Sequence, residues 1–239
     1  MIGEGQFRAN LSEGFKLLQN LSLAAYRNYW PAVDSATTDL LRSSTTYIEV
    51  YSRYINRQAY DFLLDDGSFF FFRRNLGDPT ILSYGFFESP YHGVSYTQFA
   101  SDIGDRDDAW QAYEEYCAQL PTQSHVLPVR YDWSPALYRE GAHPAAHLHM
   151  GYESDMRLAV DAMLLPLQFV LFVIRHFYVT TWETTASRLN EVARAAGSIS
   201  DSAVVPQYRQ ERDHLELRLV AVHHSRTVVQ PRHSQNRHR

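Results

Sequence analysis

One cysteine, one lysine, no glycine-rich nucleotide loop and no apolar run of membrane length mark this 239-residue chain at once. Cys117 alone excludes an internal disulfide and fits a reducing cytoplasm. Met1-Ile2-Gly3-Glu4-Gly5 opens with an acid and lacks the basic and apolar regions of a signal peptide. The longest apolar run, residues 163–174, ends at Arg175-His176 and falls short of the roughly 20 residues that a bilayer demands. A cytoplasmic protein with no membrane partner is therefore expected. GxGxxG and P-loop patterns are absent, as are repeats and low-complexity segments, and no cofactor is expected. Lys16 is the single lysine, so nearly all positive charge is guanidinium; a net charge of −5 argues against whole-protein attraction to nucleic acid.

What the chain has is aromatic mass, with 16 Tyr and 13 Phe, and a hydrophobic content of 45%, enough for a sizeable core. Phe7, Leu11, Phe15, Leu18 and Leu21 recur at helical spacing and predict an opening helix. A second short helix is expected over residues 32–44. From Thr45 the period shortens. The segments 47–51, 59–64, 69–74 and 81–87 read as four strands of an antiparallel meander, with Asp65-Asp66-Gly67-Ser68 as a hairpin turn. The run Phe69-Phe70-Phe71-Phe72 must send its side chains to alternate faces, so both faces are covered or one awaits a ligand or partner.

A helix over residues 107–120 places Tyr113, Tyr116, Cys117 and Leu120 on one stripe, which makes Cys117 a packing residue. Strands follow at 125–133 and 146–150, with a further strand from Glu153 to Val160. A helix begins at Pro166 and continues, with a break, to Gly197. Residues 214–222 alternate and read as a last strand, and a basic tail from 230 to 239 is expected to be disordered. The expected fold is α+β: an antiparallel meander sheet packed against several helices, one domain over residues 1–229.

The chemically able side chains concentrate in Arg130-Tyr131-Asp132-Trp133 and His143-Pro144-Ala145-Ala146-His147-Leu148-His149. On a strand, His147 and His149 share a face with Cα atoms roughly 6.5–7 Å apart. Such a pair can act as base and acid at a phosphate, chelate a metal with a third ligand, or satisfy buried hydrogen bonds. Arg130 and Asp132 share one face of their strand and Tyr131 takes the other. An Asp fixes a His tautomer, and an Arg holds a phosphate in a fork. The candidate catalytic set is therefore His147, His149, Arg130, Asp132 and Tyr131, with Arg139, His143 and Arg157 for substrate. The leading idea needs no metal. The metal alternative uses His147, His149 and either Glu153 or Asp132. Gly141, His147, His149 and Glu153 also match the first half of a cupin metal motif, whose second half the chain lacks.

The pattern Arg130-Tyr131-Asp132, His143-Pro144-x-x-His147-Leu148-His149-x-Gly151, Arg157, Pro166, Phe169, Phe172 and Phe177-Tyr178 resembles a family of uncharacterised bacterial proteins of about this length. Its Arg-Tyr-Asp strand and following HxH strand are also similar to small bacterial toxins of toxin–antitoxin pairs that act on RNA. The resemblance implies a defence- or toxin-type protein acting on RNA or a nucleotide phosphate, with an antitoxin or defence-system protein as partner. The alternatives are a non-enzymatic module binding nucleotide, nucleic acid or protein through its aromatic sheet, and a metal-binding HxH protein.

Overall fold

In the computed structural model, the Asp-Gly turn does what its residues dictate. Gly67 adopts φ +84°, a left-handed conformation that a side chain would resist. The turn joins strand β2 (Phe62–Leu64) to β3 (Phe69–Arg74). The structure describes residues 2–31, 46–75, 78, 80–93, 95–104, 106–123, 125–139, 142–152, 156–160 and 163–200. The helix expected over 32–44, the strand over 214–222, the basic tail, Gly141 and Glu153 lie outside the described residues.

Around that hairpin runs one seven-stranded sheet, in which every strand pairs antiparallel with its neighbours in sequence. Its other strands are β1 (Ala24–Arg27), β4 (Leu82–Phe87), β5 (Val129–Trp133), β6 (Ala146–Met150) and β7 (Arg157–Ala159). Among the described residues, six α-helices complete the α+β fold: α1 (Glu4–Asn20), α2 (Tyr47–Asn56), α3 (Tyr96–Ile103), α4 (Ala109–Cys117), α5 (Pro166–Phe177) and α6 (Val179–Ser200). Among the described residues no helix is long and apolar enough to cross a membrane.

Residues 47–51, expected as a strand, form the first turns of α2. The β-prone Tyr47, Val50, Tyr51 and Ile55 are buried at positions that share one helical face. Thr46 caps the helix, its hydroxyl accepting from Glu49 N at 3.3 Å. The Thr-x-x-Glu spacing and the 3.6-residue period outweigh β propensity here. The meander survives the correction because β1, unforeseen, supplies the outer strand beside β2.

The Phe run covers both faces of the sheet. Phe70 and Phe72 meet Phe169 of α5 edge-on, at ring-centroid distances of 6.2 Å each. Phe69 stacks on Phe87 at 5.1 Å and Phe71 on Tyr54 of α2 at 5.4 Å. Each such ring contributes about 1.5–3 kcal/mol by leaving water. All four Phe are buried, so no aromatic face of β3 is left open to stack a base. Cys117 is buried, as a packing residue should be. One face of the sheet therefore carries α1 and α5. The other carries α2 over β3 and β4, and beyond it the polar side chains of β5, β6 and β7.

Candidate metal centre

Strand alternation and register build the site together. Arg130 and Asp132 point to one face of β5 while Tyr131 joins the core on the other. Asp132 pairs with His147 and Arg130 with His149 across β5 and β6. On the outer sides, Ser83 of β4 lies opposite Asp132, and Arg157 of β7 opposite His149. Two transverse rows result: Ser83, Asp132 and His147 in one, Arg130, His149 and Arg157 in the next.

Asp132 is the hub. Its Oδ1 accepts from Ser83 Oγ at 2.7 Å, and its Oδ2 accepts from Arg130 Nε at 2.9 Å. His149 Nε2 lies 3.4 Å from the same Oδ2, and His147 Nε2 3.9 Å. Burial alone would raise the Asp132 pKa. The hydrogen bond from His149, the Arg130 charge and the Ser83 hydroxyl outweigh it and hold the carboxyl at about 2.

His147 is 2% exposed, and its ring sits 4.8 Å from that of His149 and 5.0 Å from that of His143. Its Nδ1 lies 3.1 Å from the carbonyl oxygen of Pro144, as does His143 Nδ1. A carbonyl can only accept, so both Nδ1 atoms carry protons. Burial first, then the neighbouring His149, lowers the His147 pKa to about 4. His147 is therefore neutral near pH 7, and its unprotonated Nε2 turns a lone pair toward a carboxylate. An imidazole lone pair and a carboxylate oxygen 3.9 Å apart are both groups that could bind one cation.

One ligand atom each from Asp132, His147 and His149 lies within 4.8 Å of the others. A tetrahedral ion with ligands at about 2.1 Å needs its donors roughly 3.4 Å apart. The 3.4 Å and 3.9 Å separations are close to that value. The hydrogen bond from His147 Nδ1 to a main-chain carbonyl is the outer support that metal-bound imidazoles use.

The structure brings Arg130, Asp132, His147, His149 and Arg157 onto one face. His143 joins through its ring contact with His147 and the shared Pro144 carbonyl. Arg139 holds His143 by main-chain hydrogen bonds in both directions, but its own side chain is exposed and makes no bond to the cluster among the described residues. Tyr131 is not part of the site. It is fully buried on the opposite face, where its hydroxyl accepts from Leu164 N at 2.9 Å. Tyr131→Phe should cost about 1–3 kcal/mol in urea unfolding, because it orphans a buried N–H, and should leave ligand binding unchanged. Ser83 and the Pro144 carbonyl, both absent from the sequence-based candidates, hold the site's ligand atoms. Ser83 was signalled only as a small polar residue on an otherwise apolar strand.

A search of curated proteins and a search of solved structures return no match. The sequence model of one family, described as an uncharacterised conserved protein (DUF2290), matches residues 19–217. That span contains β1 to β7 and every residue of the cluster, and the chain belongs to this DUF2290 family of uncharacterised conserved proteins.

Proposed function

We propose that Asp132, His147 and His149 hold one divalent transition-metal ion and that the protein hydrolyses a phosphate ester, in RNA or a nucleotide, at that ion. The observation that carries this reading is the convergence of three donor atoms within 4.8 Å around a histidine whose Nδ1 proton is already committed to Pro144. Two His and one carboxylate leave coordination positions open, as reactive sites do and closed structural zinc sites do not. A bound ion of this kind acidifies its water and neutralises charge on a phosphoryl oxygen. At such an ion, water would add to phosphorus as the ester P–O bond breaks, the proton that the water gives up balancing the one that the departing oxygen takes. Arg130 and Arg157 favour an anionic substrate beside the ion.

A metal-free reading draws on a different observation. His149 lies 3.4 Å from Asp132, an orienting partner, and keeps some exposure. His149 alone would then serve as the proton-transfer group, because His147 is sealed from substrate.

One experiment separates the readings. The full chain is stripped with EDTA, reloaded with zinc, manganese or iron(II), assayed for bound metal and incubated with mixed RNA. One equivalent of metal and cleavage abolished by EDTA are expected. Cleavage that ignores EDTA would transfer the activity to the Asp132–His149 pair. No metal and no cleavage would leave a non-enzymatic binding module.

A further inference from the structure

We infer that Arg130 and Arg157 form a two-pronged clamp for one phosphate group above His149. The inference rests on the metal reading, since the clamp would place that phosphate against the ion. Register supplies the geometry: Arg130, His149 and Arg157 are paired in sequence across β5, β6 and β7, which puts all three on one face. Two strand spacings separate the arginine Cα atoms by about 10 Å, and guanidinium stems from either side can converge over the imidazole between them.

The row is open where a ligand needs it and closed elsewhere. Arg130 and Arg157 are both exposed. Arg130 commits its Nε to Asp132, which leaves its two terminal nitrogens without a bond to the described residues. Arg157 forms no ion pair among the described residues. On the β4 side the row stops at Gly85, opposite Arg130. The Phe71 ring fills the space there, so close that a Cβ on Gly85 would lie 2.1 Å from it. An anion is therefore confined to the β5–β7 portion of the face.

Charge and shape choose the anion. The chain as a whole carries −5, yet among the described residues this cluster sets two guanidinium groups against one carboxylate, before any metal is added. Each guanidinium presents paired N–H donors in a fork. Two forks and an ion approach from three directions, which suits the three non-bridging oxygens of a terminal phosphate or the two of a diester flanked by the water. A carboxylate offers only two oxygens in one plane. The ligand class is thus a phosphate ester, from a mononucleotide or from an internal RNA linkage.

The test uses metal-loaded full-length protein and calorimetric titration with inorganic phosphate, a mononucleotide, a dinucleotide and an unphosphorylated nucleoside. Arg157→Ala should weaken every phosphate-bearing ligand by about 10- to 100-fold and leave metal stoichiometry at one. Arg157→Lys should recover part of the loss, since it restores charge without the fork. Arg130→Lys should weaken phosphate similarly, with Arg157 variants as the cleaner probe because, among the described residues, the Arg157 side chain makes no hydrogen bond or ion pair to a proposed metal ligand whereas Arg130 bonds Asp132. Tighter binding of the mononucleotide assigns the clamp to a terminal phosphate; tighter binding of the dinucleotide assigns it to a linkage. Unchanged phosphate affinity in Arg157→Ala with the metal retained, or equal binding of the bare nucleoside, overturns the clamp and spares the metal site. Failure of the wild-type protein to take up metal overturns the reading beneath it instead.

Discussion

Alanine at both His147 and His149 is expected to abolish metal uptake, with affinity falling at least about 1,000-fold. Losing only an outer hydrogen bond at such sites costs about 10- to 100-fold. Removing two of three ligand atoms must cost more. Turnover of RNA should fall with it to the level of EDTA-treated wild type. His147 is buried, so its truncation also opens a cavity. His149→Ala alone, at the more exposed position, separates the two effects: metal should be lost while the unfolding midpoint stays near wild type. Metal analysis and urea unfolding on the same preparations check this. Retention of one tight equivalent of metal by the double variant would remove the site altogether.

The second large effect is structural and lies at the far side of the sheet. Asp61→Ala should destabilise the protein by about 3–5 kcal/mol in urea unfolding. Asp61 is buried, and its Oδ2 accepts from Phe72 N and from Arg73 Nη1, each at 2.7 Å. Arg73 also donates to the carbonyls of Phe72 and Ala59 and lies over the Phe71 ring. Without the carboxylate, a partly buried guanidinium loses its counter-charge and a strand N–H loses its acceptor. Asp61→Asn should cost less than the alanine, because an acceptor oxygen remains for the Phe72 N–H while Arg73 still loses its counter-charge.

The sign of the pH dependence distinguishes charge from acceptor. Burial raises the native Asp61 pKa, despite the opposing Arg73 charge, hydrogen bonds from Phe72 and Arg73, and the Arg27 charge. The folded state therefore binds this proton more readily than the unfolded chain. Stability from this group is gained as pH falls through the native pKa toward the ordinary carboxylate value, and is lost as pH rises again. The wild type should accordingly gain on Asp61→Asn upon acidification across that window. A difference that moves the opposite way would mean that the native carboxylate is favoured as the anion.

Residues 47–56 show how local signals compete. Tyr, Ile and Val suggest a strand, whereas the Thr46 cap and the inward repeat of Tyr47, Val50, Tyr51 and Ile55 demand a helix, and α2 follows the second set. The Asp-Gly turn met no such conflict, and Gly67 adopts the left-handed geometry its residue type permits. The alternation of Arg130, Tyr131 and Asp132 was equally plain, because successive side chains on any strand must oppose one another.

The sequence alone therefore determined the α+β class, the meander's central hairpin, the long C-terminal helices and the shared face of His147 with His149. Each depends on chain geometry within a few residues. Which partner strand lies beside them is a different matter. Asp132 stands opposite His147 because β5 and β6 bury Val129, Tyr131 and Leu148 together on the far side. A slip of one residue would have turned those side chains to the polar face. Only that tertiary pairing brought Ser83 to the carboxylate, closed His147 away from water and lined up Arg157 with Arg130. Non-local hydrophobic burial fixes register, and it leaves no mark on the spacing of the polar residues it aligns.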